Sequence, residues 1–166
     1  MNTNFGKMRP YFWLVVVAVL VLLDQAIKVA VKRWLEPVGE IGLLPFLSLT
    51  YVENVGVSFG LMQSVGNRIL LAFNMAATAG IYFYWRQRLF EGTLKALESW
   101  GFAFILAGAI GNILDRMHYG YVIDFVDFRV WPVFNLADSL ISIGVGIYLF
   151  SSLLAWKKKN HAPMST

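Results

Sequence analysis

Four long apolar stretches divide the chain: Tyr11 to Val31, Ile69 to Trp85, Ser99 to Leu114 and Ser139 to Trp156. The second and fourth hold no charged residue, the third meets its first at Asp115, and the first carries Asp24 and Lys28 near its end. A helix that crosses a bilayer needs about 20 largely apolar residues. With flanking residues included, the pattern predicts four transmembrane helices at about 11–31, 69–85, 96–115 and 136–156. Four such spans take up about half of the chain and leave no room for a separate soluble domain. Residues 1–166 are therefore expected to form one integral membrane domain, mainly α.

The connections differ in pattern. Between Lys32 and Arg68, Pro37, Gly39, Gly42 and Pro45 break any helix, and Leu47, Leu49 and Tyr51 then alternate with Ser48, Thr50 and Val52. This period of two predicts a small extracytoplasmic β-platform between helices 1 and 2. Tyr119 to Trp131, between the third and fourth spans, is rich in aromatic and β-branched residues and has Asp124 and Asp127 embedded in it. Such a segment suits the membrane interface.

Composition narrows the chemistry. The 166 residues are 58% hydrophobic and 14% charged, against the roughly 25% charged of soluble domains, and the 16% aromatic content excludes disorder. Cysteine is absent, and histidine occurs only at His118 and His161. This removes disulfides, thiolate metal sites, cysteine nucleophiles and any HExxH metal signature. Charge then sets the orientation. If the termini and the middle loop share one side, that side holds eight bases (Lys7, Arg9, Arg86, Arg88, Lys95 and Lys157 to Lys159) against Glu91 and Glu98. Cytoplasmic flanks collect Lys and Arg, so both termini are expected in the cytoplasm, and the basic tail is a topology signal rather than a nucleic-acid patch. A cleavable leader at the start is not expected, because the apolar run passes on to Val31 without a small-x-small site.

The polar residues inside the spans fall at one depth. Counted at about 1.5 Å per residue from the cytoplasmic side, Asp24 and Lys28 lie about 20 and 26 Å across, and Asn112, Asp115 and Arg116 about 21 to 27 Å. Asn135 and Asp138 open the fourth span at the same level. Intramembrane ionisable groups usually face a bundle interior or a wet cavity. Gly108 and Gly111 would let a neighbouring helix approach just below them. Plainer roles exist for each: Asp24 with Lys28 is a helix i,i+4 pair, Asp115 and Arg116 can end a helix, and Asn135 with Asp138 fits a helix N-cap followed by an acidic first turn. Asp124, among Val122, Ile123, Phe125 and Val126, is a carboxylate in apolar company, which raises a carboxyl pKa and often marks function. Two carboxylates in a poorly solvated site share a proton, so that one activates water while the other protonates a carbonyl. Asp124 and Asp138 are the candidates, and spacing alone leaves Asp127 as a competitor to Asp124.

Five segments in order resemble the lipoprotein signal peptidases, or signal peptidase II, a family of bacterial membrane aspartyl proteases. They are Asp24, Gln25 and Lys28; Asn54-Val55-Gly56-Val57-Ser58-Phe59-Gly60; Gly108-Ala109-Ile110-Gly111-Asn112-Ile113-Leu114-Asp115-Arg116; Val122-Ile123-Asp124-Phe125; and Phe134-Asn135-Leu136-Ala137-Asp138. Val57 stands where the family commonly has Ala, and Gly60 where it often has Ser. The resemblance implies hydrolysis by Asp124 and Asp138 that cuts the signal peptide of a prolipoprotein before its diacylglyceryl cysteine. Asn54, Gly56, Asn112, Asp115, Arg116 and Asn135 would line or brace the site, with Asp24 and Lys28 in support. No metal or cofactor is implied. The expected partners are lipid-modified prolipoproteins and membrane lipid, with no nucleic acid. A monomer in the bacterial cytoplasmic (inner) membrane is expected, its active site near the extracytoplasmic face and Phe46 to Gly60 clamping the cleft. A proton-coupled transporter, a Ser-Lys hydrolase using Ser58 and Lys28, and a non-enzymatic adaptor are the alternatives.

Overall fold

The computed structural model describes residues 10–56 and 67–160. Four long helices carry the chain: α1 (Pro10–Trp34), α2 (Asn67–Phe90), α3 (Ala96–His118) and α4 (Leu136–Asn160). Each contains one of the apolar stretches but runs past it, because backbone hydrogen bonding continues into polar flanks where hydropathy stops. Three of them, Tyr11–Trp34, Ala96–His118 and Leu136–Leu154, are long and apolar enough to cross a membrane. α2 has the length, yet Asn74, Thr78, Tyr82, Tyr84 and the Arg86-Gln87-Arg88 end dilute its apolar character.

The β-platform is larger than the sequence pattern suggests. β1 (Glu40–Leu44) and β2 (Leu47–Asn54) form an antiparallel hairpin, as expected. The third strand, β3 (Val122–Asp127), comes from the connection between α3 and α4 and pairs antiparallel with β2, so the order is β1-β2-β3. The expectation of a platform built only between helices 1 and 2 is corrected accordingly. An open β2 edge would leave a row of unpaired amides and carbonyls, and the VIDFVD segment supplies the partner. β1 is exposed throughout, whereas β3 is almost wholly buried. In this register Asn54 lies opposite Val122, so its side chain shares a face with Asp124, two residues on.

The chain connects this sheet to the C-termini of α1 and α3 and the N-termini of α2 and α4. At the far end the helices meet in an aromatic core. Trp13, Trp85 and Phe102 are buried there, with Phe12, Trp100 and Tyr148 packed against them, and the rings meet mostly edge to face. Between the two ends, α3 and α4 approach closely. A Cβ at Gly108 would stand 2.2 Å from the Ala137 carbonyl oxygen, and one at Gly144 2.6 Å from that of Gly101. Gly108, which the sequence offered for close packing, is used for it, and the Gly101–Gly144 approach adds a second such contact.

Candidate active site

The site is built from two linked polar clusters at the sheet end of the bundle. The first is ionic and lies within the helices. Lys28 on α1 places its Nζ 2.9 Å from Asp24 Oδ2 and 2.8 Å from Asp115 Oδ2, with all three side chains fully buried. Each carboxylate does further work. Asp24 Oδ1 accepts the backbone N–H of Ala137 at 2.9 Å, satisfying an otherwise orphaned donor in the first turn of α4. Asp115 accepts from Gln25 at 2.9 Å and from the Ile123 backbone N–H at 3.2 Å. Gly111 makes this possible, since a Cβ there would stand 2.5 Å from Asp24 Oδ2. A buried ion pair stabilises only when its remaining donors and acceptors are satisfied. Here they are, and the cluster fixes α1, α3, the start of α4 and the start of β3 to one another. Lys28 also donates to Asn112 Oδ1 at 3.1 Å. Its three protons are committed, which leaves it unsuited to act as the base of a Ser-Lys hydrolase.

The second cluster alternates amides and carboxylates. Asn112 on α3 donates from Nδ2 to Asp138 Oδ1 at 2.8 Å, while its Oδ1 accepts from Asn135 Nδ2 at 3.1 Å. Asn135 Nδ2 in turn donates to Asp124 Oδ1 at 2.7 Å and to the Ile123 carbonyl at 3.2 Å. Asn54 Nδ2 closes the other side of Asp124 at 2.9 Å. Asn135 also caps α4: its Oδ1 accepts the Asp138 N–H at 2.8 Å, and Asp138 Oδ2 accepts the Asn135 N–H at 3.3 Å. This is a reciprocal capping box. Asp124 and Asp138 thus belong to one hydrogen-bonded chain, bridged by two asparagines that ordinary sequence scanning would assign to capping and packing. Burial, together with the negative charge of Asp138, pushes the Asp124 pKa up to about 7, against the opposing hydrogen bonds from Asn54 and Asn135.

Asp127 is directed elsewhere. It accepts from Thr50 Oγ1 at 3.2 Å and from the Arg129 N–H at 2.7 Å, and Arg129 pairs with Glu40 on β1. Three residues apart on a strand, Asp124 and Asp127 face opposite sides of the sheet. Gly56 donates its N–H to Asn54 Oδ1 at 3.1 Å, orienting the amide that reaches Asp124. Val57, Ser58 and Gly60 lie outside the described residues.

Arg116 adjoins both clusters. Its Nη1 donates to the Asn112 carbonyl at 3.4 Å, and its Nε is buried with no hydrogen-bond partner among the described residues. The guanidinium and Asn112 form one end of a groove of about 320 Å³ between α2, α3 and α4, walled further by Asn74, Thr78, Ile81, Ile105 and Ile141. Asn74 and Thr78 were missed in the sequence pattern. Their signal was nevertheless available: polar residues four apart in an apolar stretch put a polar stripe on one face of a helix. Among the described residues, no three Asp, Glu or His side chains converge where a metal could be held. Among the described residues, the groups brought together are carboxylates, amides, the Lys28 ammonium and the Arg116 guanidinium.

Comparison with known proteins bears on what such a site belongs to. The sequence model of the family "Signal peptidase (SPase) II" matches residues 16–154. A lipoprotein signal peptidase of Thermodesulfovibrio yellowstonii is 37% identical over 153 residues, covering 89% of this chain and 98% of that protein. Its counterpart in Brucella ovis is 36% identical over 150 residues, covering 88% and 92%. Two solved structures of bacterial membrane enzymes superpose with TM-scores of 0.73 and 0.71 at 24% identity. The first covers 96% of this chain and 97% of its own, the second 89% and 96%. These two show the fold alone. With one family model spanning its four helices and close relatives over nearly its whole length, the chain belongs to the signal peptidase II family.

Proposed function

We propose that the protein is an aspartic endopeptidase that removes the signal peptide from lipid-modified prolipoproteins, cutting before the diacylglyceryl cysteine. The observation that carries this reading is the hydrogen-bonded chain Asp124–Asn135–Asn112–Asp138, which ties two carboxylates from different elements into one poorly solvated site. An ionised carboxylate can accept about four hydrogen bonds, so each aspartate retains acceptor capacity for a water. In the proposed reaction one carboxylate takes a proton from that water as its oxygen attacks the scissile carbonyl carbon, and the other gives its proton to the carbonyl oxygen. Collapse of the resulting gem-diol returns a proton to the departing nitrogen as the C–N bond breaks. Asp124, with its raised pKa, is the natural holder of the shared proton.

The same reading places all four helices across the bacterial cytoplasmic membrane, with both termini in the cytoplasm and the sheet on the extracytoplasmic side, in a monomer. A substrate anchored by its acyl chains would present its scissile bond near the outer interface. The groove then takes the lipid-modified segment, with Arg116 and Asn74 at its polar end and Ile81 and Ile105 deeper. The test is cleavage of a lipid-modified precursor by purified protein in detergent. Asp124→Asn and Asp138→Asn are each expected to abolish cleavage and Asp127→Asn to retain it. Cleavage by folded Asp124→Asn or Asp138→Asn would overturn the assignment.

A further inference from the structure

The proposed catalytic pair is split between two elements, Asp124 on the sheet and Asp138 on α4; the buried ionic cluster ties the start of β3 to the bundle, and a second attachment reaches β2 as well. We infer that Lys32 is a positioning residue that sets the sheet on the bundle and thereby holds Asp124 against Asp138; the inference rests on the catalytic reading above. Along α1, Asp24, Lys28 and Lys32 follow at intervals of four and so share one face. The first two anchor helices, and the third reaches the sheet. Lys32 Nζ donates to Tyr121 Oη at 2.7 Å and to Tyr51 Oη at 3.1 Å, and lies 3.4 Å from Glu36 Oε2. It also lies 5.2 Å from the centroid of the Tyr119 ring, whereas Tyr121 and Tyr51 hold it through their hydroxyls.

The cage is closed on itself. Tyr119 and Tyr121 stack at 5.7 Å, the Tyr51 and Tyr121 hydroxyls are 3.3 Å apart, and the Tyr51 hydroxyl donates to Glu53 at 3.1 Å. Burial, first of all, holds the Tyr51 phenol above its ordinary pKa and keeps it a neutral donor. A cation held by two phenol hydroxyls and one further ring is a more directional tether than apolar packing. Its attachment points also matter. Tyr51 precedes Asn54 by three residues on β2, and Tyr121, the residue just before β3, precedes Asp124 by three. The cage therefore grips both strands about 10 Å from the two side chains that meet at the site. A displacement of the sheet at Lys32 is carried directly to Asp124.

The test uses the full chain. Because the sequence contains no cysteine, cysteines introduced at Leu43 on β1 and Met117 on α3, both exposed, take spin labels uniquely. The distance distribution between them reports the sheet against the bundle without reference to activity. Lys32→Met retains the apolar stem and removes the charge and donors. It is expected to broaden that distribution and to lower kcat about ten- to hundredfold, the scale of an ångström-sized misplacement. KM should stay within about twofold, since the groove lies on α2, α3 and α4 away from the cage. Lys32→Arg, which keeps a cation, donors and ring stacking, is expected to restore most of the rate. Tyr121→Phe, which loses only one hydroxyl, should act in the same direction if Lys32→Met fails to fold. Rates are compared at equal folded fraction. An unchanged distance distribution, an unchanged kcat, or a Lys32→Arg variant as slow as Lys32→Met would each overturn the inference. Cleavage by Asp124→Asn would sink the catalytic reading instead, while the distance measurement would still decide whether Lys32 holds the sheet.

Discussion

Asp124→Asn is expected to make the folded protein more stable as pH rises, while removing its activity. In the folded state Asp124 titrates at about 7 instead of 3.8, a shift of about three units, or about 4 kcal/mol at roughly 1.4 kcal/mol per unit. The sign follows from proton binding. Below about pH 4 the carboxyl is protonated folded or unfolded and costs nothing. Between about 4 and 7 the unfolded chain ionises while the folded one does not, so stability falls with pH; above about 7 the full penalty is present. Asn cannot ionise and escapes this loss. It does forfeit a hydrogen bond, because the Asn135 amide is held by the Asp138 N–H and the Asn54 amide by the Gly56 N–H. Neither can flip to accept from the new NH2 group, at a cost of about 1 kcal/mol. The net effect is therefore a gain of about 3 kcal/mol at pH 8 and a loss of about 1 kcal/mol at pH 4. Equilibrium unfolding of both proteins in mixed detergent micelles, from pH 4 to 8, measures it. Parallel pH dependences of the two proteins would refute the burial argument. The same titration predicts that kcat/KM of the unaltered enzyme falls about tenfold per unit above pH 7, as the proton held at Asp124 is lost.

Lys28→Met leaves Asp24 and Asp115 buried without a countercharge and should cost about 3 to 5 kcal/mol. Adding Asp24→Asn and Asp115→Asn should recover much of it in the same unfolding assay. Gly108→Ala drives a Cβ into the Ala137 carbonyl, whereas Gly80 on α2 has nothing within 4 Å of the same atom. The first is expected to destabilise by about 1 to 3 kcal/mol and Gly80→Ala to be neutral or to stabilise by up to about 1 kcal/mol, read from paired unfolding curves. Asn74→Leu removes a polar group from the groove wall and should raise KM several-fold with kcat unchanged, as steady-state cleavage of the lipid-modified precursor would show.

What the sequence made legible follows from which properties are one-dimensional. Apolarity is such a property, so the helices lie where the apolar stretches are. Depth along a helix is another, and it put Asp24, Lys28, Asn112, Asp115, Arg116, Asn135 and Asp138 on one level. The direction each side chain takes around its helix relative to its neighbours is not. Asp115 and Arg116 are adjacent in sequence, yet one turns to Lys28 and the other to the groove. That division into an ionic cluster and an amide-bridged one rests on which helix packs where, and Gly108 and Gly111 decide it through contacts that spacing could only suggest. Strand pairing is also non-local, so the capture of β3 by β2 was hidden even though both segments had strand character. Asp138 shows why a structural and a chemical role need not compete. Capping explains its place in the first turn of α4, and the structure contains that cap. Yet the cap engages Oδ2, and Asn112 holds Oδ1. The two contacts leave the carboxylate no free rotation, and a group so fixed, with acceptor capacity to spare, meets the proposed need for an oriented base. The capping box orients the carboxylate that the proposed chemistry uses.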